Sequence, residues 1–188
     1  MLDHYLDIRV LPDPEFQQSM LLGALVSKLH RGLVGIDADD IGISFPAHRT
    51  DPRTLGDVLR LHGTADRLHE LTAARWLAGM RDHVDHDEIR SVPDGIVHRV
   101  VRRRQYKTNA ERLRRRRMRR HGETYEQACV QVPDSVERTV TTPFVTVRSS
   151  STGRAFGLFI EHGDCVPDPV PGAFNTYGLS RTATVPWF

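Results

Sequence analysis

The residues best suited to chemistry form a basic segment from Arg99 to His121. Between Arg99 and Arg120 it holds eleven arginines and one lysine against a single acid, Glu111. The rest of the chain carries 14 of the 26 Lys and Arg residues but 23 of the 24 Asp and Glu residues. A dense cationic segment in an otherwise acidic chain is typical of proteins that bind a polyanion. The use of arginine favours forked, bidentate contacts to phosphate groups.

A capped helix is predicted within this basic segment. Thr108 to Glu111 matches a capping box, and Gly122 matches a left-handed helix stop. Five arginines lie on one side of the helical wheel: Arg112, Arg115, Arg116, Arg119 and Arg120. Arg114 and His121 project elsewhere, and the two apolar residues lie about 140° apart, so no apolar stripe is predicted. A solvated charged helix is the alternative, but acidic partners at i+4 are missing.

A general base or nucleophile is harder to single out, because the chain has ten histidines. His30 lies at the edge of the apolar stripe of the first predicted helix, where it is either packed or half exposed over a cleft. Ser149 lies where a predicted strand meets a Ser/Thr/Gly turn, without the GxSxG context of a hydrolase nucleophile. Ordinary turn hydrogen bonding is the alternative for Ser149. Tyr177, which precedes Gly178, could equally lie at the edge of the core.

The sequence contains no recognisable metal motif. HExxH and HxH are absent, and Cys129 and Cys165 match no zinc spacing. Cleavage of a polyanion is therefore predicted to need neither metal nor cofactor. RNA offers such a route, because its 2′-hydroxyl can attack the neighbouring phosphate once it is deprotonated. A histidine is suited to act as the general base, which contributes roughly 10²–10⁴-fold to the rate.

The elements that would position these residues alternate in the first half of the chain. Strands are predicted at His4–Val10, around Ile41–Phe45, within Leu55–His62 and weakly between residues 81 and 92. Helices are predicted up to about Val34 and from Thr64 to about Leu77. The order β-α-β-β-α-β is that of the ferredoxin-like fold. Pro93-Asp94-Gly95 predicts a boundary, so residues 1–94 are predicted to form a ferredoxin-like domain.

Residues 95–188 are predicted to form a second α+β half, which makes the whole chain α+β. An extended segment, Ile96 to Lys107, leads into the basic helix, and a short helix follows from Thr124 to Val132. Phe144–Arg148 and Ala155–Ile160 are predicted to pair as a β-hairpin. No apolar run is long enough to span a bilayer and no signal peptide precedes the first strand, so we expect a soluble, cytoplasmic protein.

Seven stretches of the chain, in order, carry a resemblance to a known family. They are DHYLDIRV, SKLH, GISFP, NAERLRRRRMRRH, PFVTVRSSSTG, FNTYGLS and VPWF. Together they resemble the type I-F (Csy) CRISPR repeat-processing endoribonucleases over essentially the whole chain. The resemblance implies an N-terminal ferredoxin-like domain and an RNA-recognition half with an arginine-rich helix. It also implies metal-free cleavage of the CRISPR repeat transcript 3′ of a hairpin, giving a 2′,3′-cyclic phosphate and a 5′-hydroxyl.

The same resemblance implies partners and catalytic roles. The enzyme would remain on the hairpin as CRISPR RNA and join the other subunits of the type I-F surveillance complex. His30 would be the general base, Ser149 would position the 2′-hydroxyl, and Tyr177 would orient this pair. Ser151 and Thr152 match turn residues near the scissile nucleotide, whereas no residue is indicated as the general acid.

RNA-recognition residues are implied in the same way. Arg103 and Gln105 match a pair that reads two purines low in the stem, and arginine suits guanine O6/N7 as glutamine suits adenine N6/N7. Phe156 matches an aromatic residue that stacks on the closing base pair, a contact worth roughly 1–3 kcal/mol. The groove-tracking phosphate contacts match Arg115, Arg116, Arg119, Arg120 and His121. The rival hypotheses are a non-catalytic hairpin-binding subunit and a DNA-binding regulator.

Three arginines depart from the pattern of the resembled family. Arg117 occupies a helix position where an apolar residue is expected, which leaves the packing of the helix open. Arg102 and Arg104 add charge to the strand that carries Arg103, so the repeat stem that is recognised is expected to differ in detail.

Overall fold

The computed structural model describes residues 1–106, 110–134, 140–149 and 152–188 and shows a mixed α+β protein. In chain order its elements are β1 (His4–Val10), α1 (Gln18–Gly35), β2 (Gly42–Ser44), β3 (Arg49–Thr50), β4 (Arg53–Thr54), β5 (Val58–Gly63), α2 (Ala65–Ala73), β6 (Val84–His86), β7 (Arg90–Ser91), β8 (Val97–Arg104), α3 (Ala110–His121), α4 (Tyr125–Gln131), β9 (Phe144–Arg148), β10 (Ala155–Val166) and β11 (Thr184–Trp187).

The chain divides into two compact units. The larger unit contains residues 1–104 and 142–188, and the smaller contains residues 105–141. The boundary predicted between residues 94 and 95 therefore falls inside the larger unit.

The first sheet of the larger unit has the strand order β2-β5-β1-β6, and β7 also pairs with β1. All of these pairings are antiparallel. Helix α1 follows β1, and α2 follows β5, so the two helices occupy the two crossovers of a β-α-β-β-α-β order. The leucines of α1 at helical spacing, among them Leu25 and Leu29, are fully buried with Ile8 and Leu61 of the sheet. The predicted strands and α1 are confirmed to within a few residues.

The second sheet of the larger unit has the order β11-β8-β10-β9 and is antiparallel throughout. The predicted hairpin is confirmed as β9 and β10, with Arg148 opposite Ala155. Strand β10 continues to Val166, beyond the predicted end at Ile160, because its part from Phe159 to Val166 pairs with β8. Strand β11 was not predicted, since each of its residues pairs with a residue of β8 that lies 84 to 90 positions earlier in the sequence. Val101 and Leu158 of this sheet belong to the same buried core as α1.

Helix α2 ends earlier than its apolar spacing predicted. It stops at Ala73 rather than near Leu77, and Arg75 has a left-handed φ of 52°. A non-glycine residue in that conformation cannot continue a right-handed helix, which accounts for the early end. The predicted start is confirmed, because the Thr64 side chain caps the helix by accepting from the Arg67 backbone N–H.

The smaller unit contains the basic helix α3 and the short helix α4. The predicted end of α3 is confirmed by Gly122, whose φ is 64°. Thr108, the predicted N-cap, lies outside the described residues. Helix α4 begins with a capping box in which Thr124 and Gln127 satisfy each other's backbone N–H groups. Across the described parts of both units, no helix is both long and apolar enough to span a membrane.

Candidate functional site

His30 and Tyr177, which are far apart in the sequence, stack on each other in the larger unit. Their ring centroids lie 4.2 Å apart and the rings are nearly parallel, at 5°. His30 Nδ1 lies 2.8 Å from the backbone oxygen of Thr176. A carbonyl oxygen only accepts hydrogen bonds, so Nδ1 carries the proton and Nε2 of the neutral ring is left as an acceptor. A half-buried imidazole in this state can remove a proton from a bound hydroxyl.

The segment that carries Thr176 and Tyr177 is tied to the rest of the larger unit by backbone hydrogen bonds. Phe174 N–H donates to Asp39 O at 2.7 Å, which connects the segment to the loop after α1. Ser180 N–H donates to Val101 O at 3.0 Å, which connects it to β8. The buried side chains of Phe174 and Leu179 anchor the segment in the core. The partners of His30 are therefore held by rigid elements.

Helix α1 packs closely against strand β9. A Cβ atom at Gly23 would lie 2.3 Å from Thr146 O, so only glycine permits this approach. A groove of about 460 Å³ is lined at the same side by Met20 of α1 and by Phe144 of β9. The first turn of α1 and the first residues of β9 therefore line one groove.

His30 and Ser149 lie further along these two packed elements than the Gly23–Thr146 contact. His30 follows Gly23 by about two helical turns, which places it on the same face of α1 and roughly 10 Å further along. Ser149 follows Thr146 by three residues, roughly 10 Å further along the strand. His30 and Ser149 therefore each lie roughly 10 Å beyond the Gly23–Thr146 contact, one on α1 and one directly after β9.

Ser149 also makes the local turn contacts of its β-hairpin. Its Oγ accepts from the Thr152 N–H at 3.2 Å, and its backbone oxygen accepts from the Gly153 N–H at 2.9 Å. The hydroxyl remains half-buried and Thr152 is exposed. Ser151, which was also singled out in the sequence, lies outside the described residues.

The arginine side of α3 predicted from the helical wheel is exposed. The exposed members are Arg112, Arg115, Arg116, Arg119 and Arg120, and His121 is exposed beside them. Within the described part of the chain, no carboxylate lies within 4.0 Å of Arg116, Arg119 or Arg120. These guanidinium groups form a cationic helix face suited to phosphate groups.

Arg114 takes the place of an apolar stripe in α3. Its side chain is 8 % exposed, its Nε donates to Val132 O at 2.9 Å, and its Nη2 donates to Asp134 Oδ1 at 2.7 Å. The hydrogen bond with Asp134 raises the pKa of Arg114. The guanidinium also lies over the Tyr125 ring, 6.0 Å from its centroid. Helix α3 therefore packs against α4 through a buried charged side chain, which the amphipathic pattern did not predict.

Acidic residues neutralise part of α3, contrary to the prediction that i+4 partners are missing. Glu111 lies 2.9 Å from Arg115 at i+4. Glu123, which follows the helix, binds Arg117 at 2.6 and 2.8 Å. Arg117 stands where an apolar residue is expected. Its side chain is half-buried, and this bidentate ion pair satisfies its guanidinium.

The arginines of β8 divide between the two faces of the second sheet. Arg103 is exposed, and its guanidinium lies 5.4 Å from the centroid of the Phe156 ring. Arg102 and Arg104 both bind the carboxylate of Glu161 on β10. Burial alone would raise the pKa of Glu161, but the hydrogen bonds from these two arginines hold it below its usual value. Glu161 therefore pairs with both arginines that depart from the family pattern and neutralises part of their charge.

Gln105, the predicted partner of Arg103, is exposed and lies in the smaller unit. Two further residues, Glu161 and Asn175, bear on the site but were not singled out in the sequence. Asn175 precedes Tyr177-Gly178, and an Asn two residues before a tyrosine and glycine is a recognisable turn signal. Glu161 gives no local signal, because its partners lie on another strand.

Comparison with known proteins gives matches over the whole chain. The family model described as CRISPR-associated protein (Cas_Csy4) matches residues 5–188. A protein of Pseudomonas aeruginosa (strain UCBPP-PA14), named CRISPR-associated endonuclease Cas6/Csy4, is 49% identical over 187 residues, covering 100% of both chains. A protein of the same name from Escherichia coli (strain UTI89 / UPEC) is 46% identical with the same coverage.

One solved structure aligns with 98% of this chain and over 100% of its own chain, at 11% identity and a TM-score of 0.36. It is described as an RAMP protein binding different RNA substrates.

Proposed function

This chain belongs to the Cas_Csy4 family of CRISPR-associated proteins, and from that premise we propose that it cuts the CRISPR repeat transcript on the 3′ side of a hairpin. Its full-length relatives are named CRISPR-associated endonucleases. The chain is accordingly a CRISPR RNA-processing endoribonuclease. The family predicted from the seven sequence stretches is confirmed by these matches.

In the proposed reaction the 2′-hydroxyl upstream of the cut is the nucleophile. His30 Nε2 removes its proton, and the 2′-oxygen attacks the adjacent phosphorus atom. The bond between phosphorus and the 5′-oxygen breaks, and the departing oxygen takes up a proton. The products are a 2′,3′-cyclic phosphate and a 5′-hydroxyl. General-base catalysis of this kind contributes roughly 10²–10⁴-fold.

One observation carries this proposal: the Thr176 carbonyl and the Tyr177 ring hold His30 with Nε2 as the acceptor. Tyr177 acts as the orienting group, because its ring fixes the plane of the imidazole. Ser149 positions the 2′-hydroxyl, and the close packing of β9, which Ser149 directly follows, on the helix that carries His30 supports this role. Ser151 and Thr152 are proposed to contact RNA near the scissile nucleotide.

RNA recognition is proposed to combine phosphate contacts with base contacts. The phosphate backbone is bound by Arg115, Arg116, Arg119, Arg120 and His121, which are all exposed on α3. Arg103 and Gln105 read two purines low in the stem, and the Phe156 ring stacks on the closing base pair. The narrow major groove of A-form RNA becomes accessible to a basic helix at the end of a short hairpin.

We propose that residues 1–94 form a ferredoxin-like domain and that residues 95–188 recognise RNA. The strand order β2-β5-β1-β6, with a helix in each crossover, supports the first assignment. The second assignment groups residues by their proposed function and does not match a compact unit, because α3 belongs to the smaller unit and β8 to the larger.

The cleaved hairpin is proposed to stay bound, since the contacts to the stem do not depend on the scissile bond. The complex then joins the other subunits of the type I-F surveillance complex in the cytoplasm. Metal is not required in this proposal, because an imidazole base and guanidinium groups supply the proton transfer and the charge stabilisation.

The decisive experiment compares His30→Ala with the wild type on candidate repeat hairpins. We expect His30→Ala to keep the hairpin Kd and to lose cleavage. His69→Ala is the matched control, because His69 is an exposed histidine of α2 and is expected to leave both quantities unchanged. Full cleavage by His30→Ala would overturn the assignment of the base. No cleavage of any repeat by the wild type would favour the rival hypothesis of a non-catalytic hairpin-binding subunit.

The nature of the attack is tested with modified RNA and with chelator. A 2′-deoxy sugar upstream of the cut should block cleavage and leave binding intact, and unchanged cleavage would exclude 2′-hydroxyl attack. EDTA should leave the rate unchanged, whereas strong inhibition would favour a metal nuclease. Equal affinity for duplex DNA and hairpin RNA would favour the DNA-binding regulator.

A further inference from the structure

A side-chain-capped turn presents both groups that contact His30. Asn175 Oδ1 accepts from the Tyr177 N–H at 2.8 Å and from the Leu179 N–H at 3.3 Å. The backbone of Asn175 closes the same turn, because its carbonyl accepts from the Gly178 N–H at 2.7 Å and its N–H donates to Leu179 O at 2.9 Å. An Asn side chain that bonds the backbone two residues later forms an Asx turn, which fixes the local chain direction.

The turn is held against β2 at its far end. Gly178 has a φ of 70°, and its carbonyl accepts from the Ile43 N–H at 2.9 Å. A Cβ atom at position 178 would lie 2.6 Å from Ile43 Cγ2, so only glycine fits between the turn and the strand. The turn therefore has one fixed docking position, and the remaining freedom is its internal conformation, which Asn175 restrains.

The internal conformation of this turn determines which groups contact His30. Thr176 supplies the carbonyl and Tyr177 supplies the ring, and both lie between Asn175 and Gly178. The tautomer of a neutral histidine is determined by the hydrogen bond that its other nitrogen makes. If the Thr176 carbonyl turns away, Nδ1 loses its acceptor and the proton redistributes to Nε2, where it blocks proton uptake from a hydroxyl.

We propose that Asn175 is a positioning residue of this active site, which acts through His30 by holding the Thr176 carbonyl and the Tyr177 ring in place. The proposal rests on the proposed role of His30 as the general base. Asn175 itself is exposed and touches the site only through the backbone of the turn.

The first test measures the histidine tautomer directly by ¹⁵N NMR of the RNA-free protein, above neutral pH. The His30 signals are assigned by their loss in His30→Gln. We expect the wild type to show the Nδ1–H tautomer and Asn175→Ala to show a mixture with Nε2–H. Asn175→Asp keeps an oxygen at the same position and is expected to restore the Nδ1–H tautomer. This measurement needs no RNA, so it separates failure of this inference from failure of the proposed function.

The second test measures single-turnover cleavage at saturating hairpin. Asn175→Ala is expected to lower the rate by about 10–100-fold, which is the size of effect that misplacement of a catalytic group produces. Its hairpin Kd should change by no more than about twofold, because Asn175 is absent from the proposed binding surfaces. In the His30→Ala background, Asn175→Ala should cause no further loss, because its effect passes through His30.

Two results would overturn the inference. One is an Nδ1–H tautomer and a wild-type rate in Asn175→Ala. The other is an equal loss of rate from Asn175→Ala with and without His30, which would mean that the turn acts independently of the imidazole.

Discussion

The guanidinium of Arg114 donates to Asp134 at 2.7 Å from a nearly buried position, within a helix whose other arginines mostly face solvent. A single helix thus uses the same residue type for two purposes. Arg116, Arg119 and Arg120 have no carboxylate within 4.0 Å among the described residues, whereas Arg114 attaches the helix to α4. The two uses are expected to respond differently to salt.

Replacement of Arg114 by Met is expected to weaken hairpin binding roughly tenfold without changing its salt dependence, because α3 loses its charge-assisted anchor but keeps its phosphate contacts. Arg116→Met is the matched variant on the exposed face. It should reduce the slope of log K against log salt by about 0.7–0.9, the value for one lost phosphate contact. Binding isotherms at four salt concentrations measure both slopes. A flatter slope for Arg114→Met would show that Arg114 contacts phosphate.

Glu161 is expected to limit non-specific RNA binding, because it occupies both Arg102 and Arg104. Glu161→Gln removes the charge with little change in shape and releases two guanidinium groups on β8. The Kd for an unrelated RNA should fall several-fold more than the Kd for the repeat hairpin, since released charges bind any phosphate.

Glu126→Gln is the control for Glu161→Gln, because Glu126 is exposed on α4 and its loss changes the net charge equally. It should shift the two Kd values by similar factors. An equal effect of both variants would mean that net charge, rather than the release of Arg102 and Arg104, determines the specificity.

Gly23→Ala should damage both stability and cleavage, because its methyl group would meet a backbone oxygen of β9 that cannot move aside. Overpacking of this kind costs about 1–3 kcal/mol. The displacement of β9 should also slow cleavage, since Ser149 directly follows that strand. Gly35→Ala is the control in the same helix, because no atom lies within 4 Å of its added methyl group. Urea unfolding and single-turnover rates measure both effects, and a neutral Gly23→Ala would contradict the close packing of α1 on β9.

Acid should destabilise the fold through two histidines, the buried His62 and the half-buried His162. Burial lowers the pKa of His62 to about 3 and that of His162 to about 2. Below about pH 6.5 these histidines take up protons in the unfolded chain but not in the folded protein. The free energy of unfolding is therefore at its full value above that pH and falls as the pH falls toward 3. At pH 5 the loss is about 2 kcal/mol for each histidine.

The variant His162→Gln tests this acid sensitivity, because glutamine can still accept the hydrogen bond from the Phe45 N–H but does not titrate. Its free energy of unfolding should fall less than that of the wild type between pH 7.5 and pH 5, by about 2 kcal/mol. His69→Gln, at an exposed position of α2, is the matched substitution. An identical loss in the wild type and His162→Gln would exclude His162 as a source of the acid sensitivity.

Local patterns in the sequence were sufficient for much of this protein. Strand β1 was predicted from alternation and is found at His4–Val10, and α1 follows the predicted helical spacing of its leucines. The exposed arginine side of α3 and its stop at Gly122 follow from residue spacing and from glycine's tolerance of a left-handed backbone. These features depend on neighbouring residues, so one chain carries all the information they need. The family was likewise recognised from short stretches in order.

Only the tertiary structure decided which distant groups meet. The sequence placed His30 and Tyr177 on separate elements, and the stack between them exists because the turn after Asn175 docks on β2. The ion-paired arginines look alike in the sequence, yet their partners differ. Arg114 binds Asp134, Arg117 binds Glu123, and Arg102 and Arg104 share Glu161. Charge and periodicity are properties of short segments, whereas a hydrogen bond between residues 146 positions apart depends on how the whole core packs.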